Sequence, residues 1–177
     1  MTREPPELRM PLRLRDRKRA GRFAIHLLAL LAATLSAARC TLARWPVDGT
    51  LTSPFGIRFR GLLPEIHRGV DIRVPTGTPV FAMRTGDVVH AAPLGDFGLT
   101  VILDHGGRTR SLYGHLSSIA VRAGTRVDGG SLIGSSGQSG NASGPHLHFE
   151  ILRHGRPEDP VPLLGRRPRE TSRSSPP

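Results

Sequence analysis

The chain has 177 residues, enough for one domain of ordinary size with tails and too few for a second enzymatic domain. Its formal charge is +11, but residues 1–44 carry +7, residues 164–177 carry +3 and residues 45–163 only +1; a nearly neutral middle without a basic stripe interleaved with aromatics argues against nucleic acid as a partner. The single cysteine, Cys40, excludes an intrachain disulfide and a thiolate zinc site, so any metal must be held by histidine and carboxylate.

Residues 1–22 are polar and arginine-rich, and a 16-residue apolar run, 23–38, follows them. A basic leader, a short apolar run and small residues at its end describe a secretory signal. The run is short for a membrane span, which takes about 20 apolar residues. Cleavage near Ala38 or Ala43 is expected, with an uncleaved anchor as the alternative; either exports the chain to the periplasm or cell envelope, with possible membrane attachment through residues 23–38. Arg39 stands where a lipoprotein signal needs a small residue before its cysteine, so lipidation of Cys40 is not expected.

From Trp45 onward, short β-prone runs are broken by glycine and proline, which predicts an antiparallel all-β domain over residues 45–163. The run at Phe81–Met83 leads into Gly86–His90, Leu99–Asp104 follows a turn, and Arg110–Leu116 forms the next strand. The pattern V-x-x-G-T-x-V occurs at Val74–Val80 and again at Val121–Val127; it marks either two related halves or two similar turns of independent origin. Residues 135–144 form a polar, flexible loop bordering a groove. There is no P-loop, no G-x-G-x-x-G and no G-x-S-x-G. The tail from residue 164 cannot bury apolar area and is expected to be disordered.

The chemistry lies in two segments. In Gly144–Ile151, strand alternation puts His146, His148 and Glu150 on one face and Leu147, Phe149 and Ile151 on the other. In His67–Val74, the same alternation sends Val70, Ile72 and Val74 to a core and turns Asp71 away, with His67 delivered by the loop before it. His67, Asp71 and His148 together form two imidazoles and a carboxylate, a set that leaves zinc a fourth position for water. Glu150 either fixes an imidazole tautomer from behind or is a solvated carboxylate. Tyr113 either lines the groove or packs in the core. His105 and the other histidines fit structural roles.

With these segments, Ser53-Pro54-Phe55-Gly56-Ile57-Arg58 and Tyr113-Gly114-His115-Leu116, the sequence resembles the lysostaphin and LytM-type zinc metallopeptidases from about Trp45 to Pro162. That resemblance implies a duplicated hybrid motif fold, an antiparallel sandwich or open barrel. It also implies one Zn2+ per domain on His67, Asp71 and His148, with His115 and His146 as two non-ligand catalytic histidines. It further implies hydrolysis of amide bonds in peptidoglycan stem-peptide cross-links. Some members have lost ligands and act only by binding and activating another wall hydrolase; this chain keeps all five positions. If His148 holds zinc, His146 stands about 7 Å along the same strand face, within reach of water or substrate. The sequence leaves open which histidine is the base and which cross-link is cut.

Overall fold

The β-branched runs become strands wherever their alternation gives them an apolar face to bury. The computed structural model describes residues 43–60, 62–165 and 169–170. The leader lies outside the described residues, and among them no helix is long and apolar enough to cross a membrane. In chain order the elements are β1 (Thr50–Ser53), β2 (Gly56–Arg60), β3 (Leu63–His67), β4 (Val70–Arg73), β5 (Pro79–Phe81) and β6 (Gly86–Pro93). A 3-10 turn (Gly95–Phe97) leads to β7 (Leu99–Asp104), β8 (Thr109–Ile119), β9 (Arg126–Val127) and β10 (Leu132–Ser136). Then come β11 (Leu147–Arg153), β12 (Arg156–Glu158), the helix α1 (Pro160–Leu164) and β13 (Arg169–Glu170).

An 11-stranded sheet runs β13-β1-β4-β11-β8-β7-β6-β9, with β12 beside β11 and β10 bridging β8 to β5. Its pairs are antiparallel apart from β1 with β13. The fold is therefore the β-rich one expected. β2 and β3 form a separate hairpin. Its second strand corrects one expectation: Leu63–His67 is not a loop, and His67 is fixed at the end of a paired strand, opposite Gly56. Within the tail, Arg169–Glu170 run parallel to Thr50–Leu51, so this part of it is paired.

The two V-x-x-G-T-x-V segments adopt the same turn geometry. Gly77 and Gly124 sit at φ 87° and 84°, where a side chain would be strained. Thr78 Oγ1 donates to Pro75 O and Thr125 Oγ1 to Arg122 O, both at 2.7 Å. The Gly77 amide donates to Ser136 O in β10, and the Gly124 amide to Val88 O in β6, both at 2.8 Å. The first turn is thus tied to β10 and the second to β6.

Leu147, Phe149 and Ile151 from β11 meet Val70 and Ile72 from β4 in the core, all buried. Phe149 lies against Tyr113 at 5.3 Å between ring centroids and against Trp45 at 6.4 Å. Phe149→Ala should lower unfolding stability by about 3–5 kcal/mol through lost burial and an unfilled cavity, as a shift in urea midpoint at constant m-value.

Candidate active site

Sheet register brings the distant motifs together. β4 and β11 pair with Asp71 opposite His148, and β11 pairs with β8 with His148 opposite Gly114. Gly69 is required for this approach: a Cβ there would collide with the Phe149 carbonyl. The opposite face of β11 is not solvent-facing, since His148 and Glu150 are 5% and 1% exposed. Both faces of the strand are used, one for the core and one for the site.

His67 Nε2, Asp71 Oδ1 and His148 Nδ1 form a triangle with sides of 3.2, 2.8 and 3.2 Å. Among the described residues they are the group able to hold a metal. Tautomers test the fit. His67 Nδ1 lies 2.8 Å from Pro54 O, a carbonyl that can only accept, so Nδ1 bears the proton and Nε2 the lone pair. His148 Nε2 lies 3.1 Å from Glu150 Oε1, so Nε2 donates there and Nδ1 bears the lone pair. Two lone pairs and a carboxylate oxygen therefore converge in a poorly solvated space, an arrangement that calls for a cation. A tetrahedral ion with bonds of about 2.0–2.2 Å keeps its ligand atoms roughly 3.3 Å apart, close to the two 3.2 Å sides of this triangle and wider than its 2.8 Å side.

The two remaining histidines of the site are tethered in the same way. His115 Nδ1 donates to Ser139 O at 2.8 Å and His146 Nδ1 to Gly144 O at 2.7 Å, so each neutral ring keeps its lone pair on Nε2. Their ring centroids are 4.7 Å apart, and His146 Nε2 stands 3.6 Å from Asp71 Oδ1. His115 is reached by a device the sequence does not announce. It takes φ 59°, and the β7–β8 register shifts between Leu99 and Val101 opposite Leu116 and Tyr113. The resulting bulge turns its imidazole out of the strand's alternation and into the site.

The expected flexible loop is pinned. Ser139 Oγ donates to Leu116 O at 2.7 Å and accepts from the Leu99 amide at 2.9 Å, while the Asn141 amide donates to Asp96 O at 2.8 Å. Asn141 and Ser143 border a cleft of about 270 Å³ over the imidazoles. A second cleft of about 300 Å³ shares Arg58, Asp71, Ser143 and His146 with the first. The two lie side by side, as an extended ligand would require.

Tyr113 and His105 stand apart from the site. The Tyr113 hydroxyl lies 2.8 Å from the Met83 amide and 2.9 Å from Ser111 Oγ, and full burial pushes its pKa up to about 12. His105 lies between Thr85 O and Ser111 Oγ at 2.9 and 2.8 Å, and burial lowers its pKa. Both are structural. His90 lies 3.0 Å from Ala92 O and His154 occupies a turn at φ 54°; His26 lies outside the described residues.

Electrostatics follow from these partners. Burial alone would raise the Asp71 pKa, but hydrogen bonds with His148 and His67 outweigh it and hold the carboxyl well below its usual range. Burial alone would lower that of His148, but Asp71 and Glu150 outweigh it and raise the pKa. His115, mainly through burial, is lowered. Without metal, a proton on His148 takes the cation's place and persists to higher pH than on a free histidine. Divalent-metal affinity should therefore climb with pH through a range centred above 6.5, as checked by competition with a chromophoric chelator at stepped pH.

A model of peptidase family M23 matches residues 65–160. The DD-carboxypeptidase/endopeptidase Mpg of Neisseria meningitidis serogroup B is 38% identical over 113 residues, covering 63% of this chain and 26% of that protein. The murein hydrolase activator EnvC of Escherichia coli is 39% identical over 124 residues, covering 70% of this chain and 29% of that protein. The chain thus spans less than a third of these relatives' length. Among solved structures, a zinc-containing peptidase from Vibrio cholerae superposes with a TM-score of 0.65 at 30% identity, over 72% of this chain and 41% of that one.

Proposed function

The chain belongs to peptidase family M23, and from that premise we propose that it is a zinc-dependent endopeptidase hydrolysing amide bonds in the peptide cross-links of peptidoglycan. One observation supports the reading above the others: four imidazoles are each tied at one ring nitrogen to an acceptor, and all four line a single cleft together with Asp71. His67, Asp71 and His148 hold the ion. Bound there, zinc supplies a Lewis acid for the scissile carbonyl and lowers the pKa of water to about 7.

The protein's own groups do the rest. His115 is kept neutral by burial and presents Nε2 as a proton acceptor; His146, its ring centroid 4.7 Å away, presents an equivalent nitrogen beside it. Either ring can take the proton of the attacking water, and the protonated ring can hydrogen-bond the developing oxyanion or protonate the leaving amine. The Ser139 and Gly144 carbonyls keep both rings in the required tautomer. Glu150, with Oε1 3.1 Å from His148 Nε2, does the same for His148 and raises its basicity as a ligand.

Purified sacculi should release cross-link peptides in the presence of the protein. That release should stop with a chelator and return with zinc. Hydrolysis undiminished after complete metal removal would end the assignment. Mass spectrometry of products from defined muropeptides identifies the bond, stem cross-links being favoured over glycine bridges.

The EnvC match supports a second reading, a module that binds and activates a separate wall hydrolase. His146→Asn separates the two: an endopeptidase loses its function in cells, whereas an activator keeps it. Either function belongs in the cell envelope, in keeping with an exported chain whose 23–38 run serves as signal or anchor.

A further inference from the structure

The motif Ser53-Pro54-Phe55-Gly56-Ile57-Arg58 contains one charged side chain that no step above uses. In β2, Ile57 and Phe59 are 74% and 71% exposed, while the Arg58 side chain between them turns inward and is 27% exposed. This reverses the usual ordering of apolar and charged residues, so the inner face of the hairpin is shaped by what Arg58 holds. Its Nη1 donates to Asp71 Oδ2 at 3.2 Å and to Ser53 Oγ at 3.3 Å, and its Nη2 donates to Glu65 Oε1 at 3.1 Å. The oxygen it engages on Asp71 is not Oδ1, the one facing His67 and His148.

A carboxylate can offer a cation one oxygen or both. With both it would fill the position that a hydrolytic ion needs for solvent. A guanidinium is always charged and has donors in a fixed fork, so it can occupy Oδ2 while anchored to Ser53 and Glu65; a lysine ammonium has no such fork. Ser53 Oγ also lies 3.3 Å from His67 Nδ1, linking the same guanidinium to a second ligand.

We propose that Arg58 is a positioning residue that confines Asp71 to one metal-facing oxygen and thereby keeps a coordination position open. This inference rests on the zinc reading above. Cobalt(II) in place of zinc reports it directly, because four-coordinate cobalt absorbs visible light far more strongly than five- or six-coordinate cobalt. In the full chain, Arg58→Ala should weaken zinc about 10- to 100-fold, the range seen when outer partners of metal ligands are removed, and should lower the cobalt absorption per ion. Arg58→Lys should shift both in the same direction by less, and covers the case of an Arg58→Ala protein that does not fold. Glu65→Gln, which weakens one anchor of the guanidinium but leaves its contact with Asp71, should shift both in the same direction by less than Arg58→Ala. A wild-type spectrum and affinity in Arg58→Ala and Arg58→Lys would overturn the role of Arg58 and leave the zinc site standing. A wild-type protein that binds neither cobalt nor zinc would sink the zinc reading and this inference together.

Discussion

In His148→Ala, release of cross-link peptides should fall to the uncatalysed background and zinc should no longer co-purify with the protein. The loss goes beyond one ligand of three. Glu150 is 1% exposed and its Oε1 lies 3.1 Å from His148 Nε2, so removing the imidazole leaves a buried carboxylate without that partner. Breaking a buried pair from one side costs about 3–5 kcal/mol, and the single variant should unfold at markedly lower urea. The double variant His148→Ala/Glu150→Gln separates the effects, because a neutral amide tolerates the site better than an unpaired carboxylate. It should recover most of the stability and none of the zinc or activity. Recovery of hydrolysis in the double variant would show that His148 acts only through the fold.

His115 gives the second large effect with the opposite signature. It lies beside the triangle without being part of it, so its loss should leave zinc content unchanged while kcat drops about 100- to 10,000-fold, the usual contribution of general acid–base catalysis. Asparagine is the informative replacement. Position 115 sits at φ 59°, which asparagine adopts more readily than most residues, so His115→Asn removes the imidazole with little backbone strain. The pH profile gives a further check. Burial lowers the His115 pKa, so its neutral form persists below pH 6.5 and is lost as pH falls further. With zinc in excess, the acid limb of kcat should therefore lie below the ordinary histidine range. An acid limb above it would assign the proton transfer elsewhere.

Much of this was legible from residue type and spacing. Alternation in Val70–Val74 and Leu147–Ile151 separates the core residues from Asp71 and His148, and the absence of usable cysteine leaves only nitrogen and oxygen ligands. What was hidden belongs to the backbone. The acceptors that tether His67, His115 and His146 are the carbonyls of Pro54, Ser139 and Gly144, groups every residue carries and no sequence distinguishes. The bulge at His115 is hidden for the same reason: its strand reads as continuous, and the register shift arises from pairing with β7. Glu150 was ambiguous because alternation tells which face a side chain takes, not whether that face meets water. The β2–β3 hairpin was missed because Leu62, Leu63 and Ile66 are exposed, so no buried face betrays the second strand. Arg58 was visible as part of a motif, but its contact with Asp71 needs the hairpin to fold back over β4.

The account turns on which atoms share the ion, and an anomalous-scattering map at the zinc edge from crystals of the zinc-loaded protein decides it. One peak about 2.0–2.2 Å from His67 Nε2, Asp71 Oδ1 and His148 Nδ1, with His115 and His146 unbonded, is the predicted result. A peak coordinated by His115 or His146 in place of one of those three, or no peak in the cleft, would contradict it.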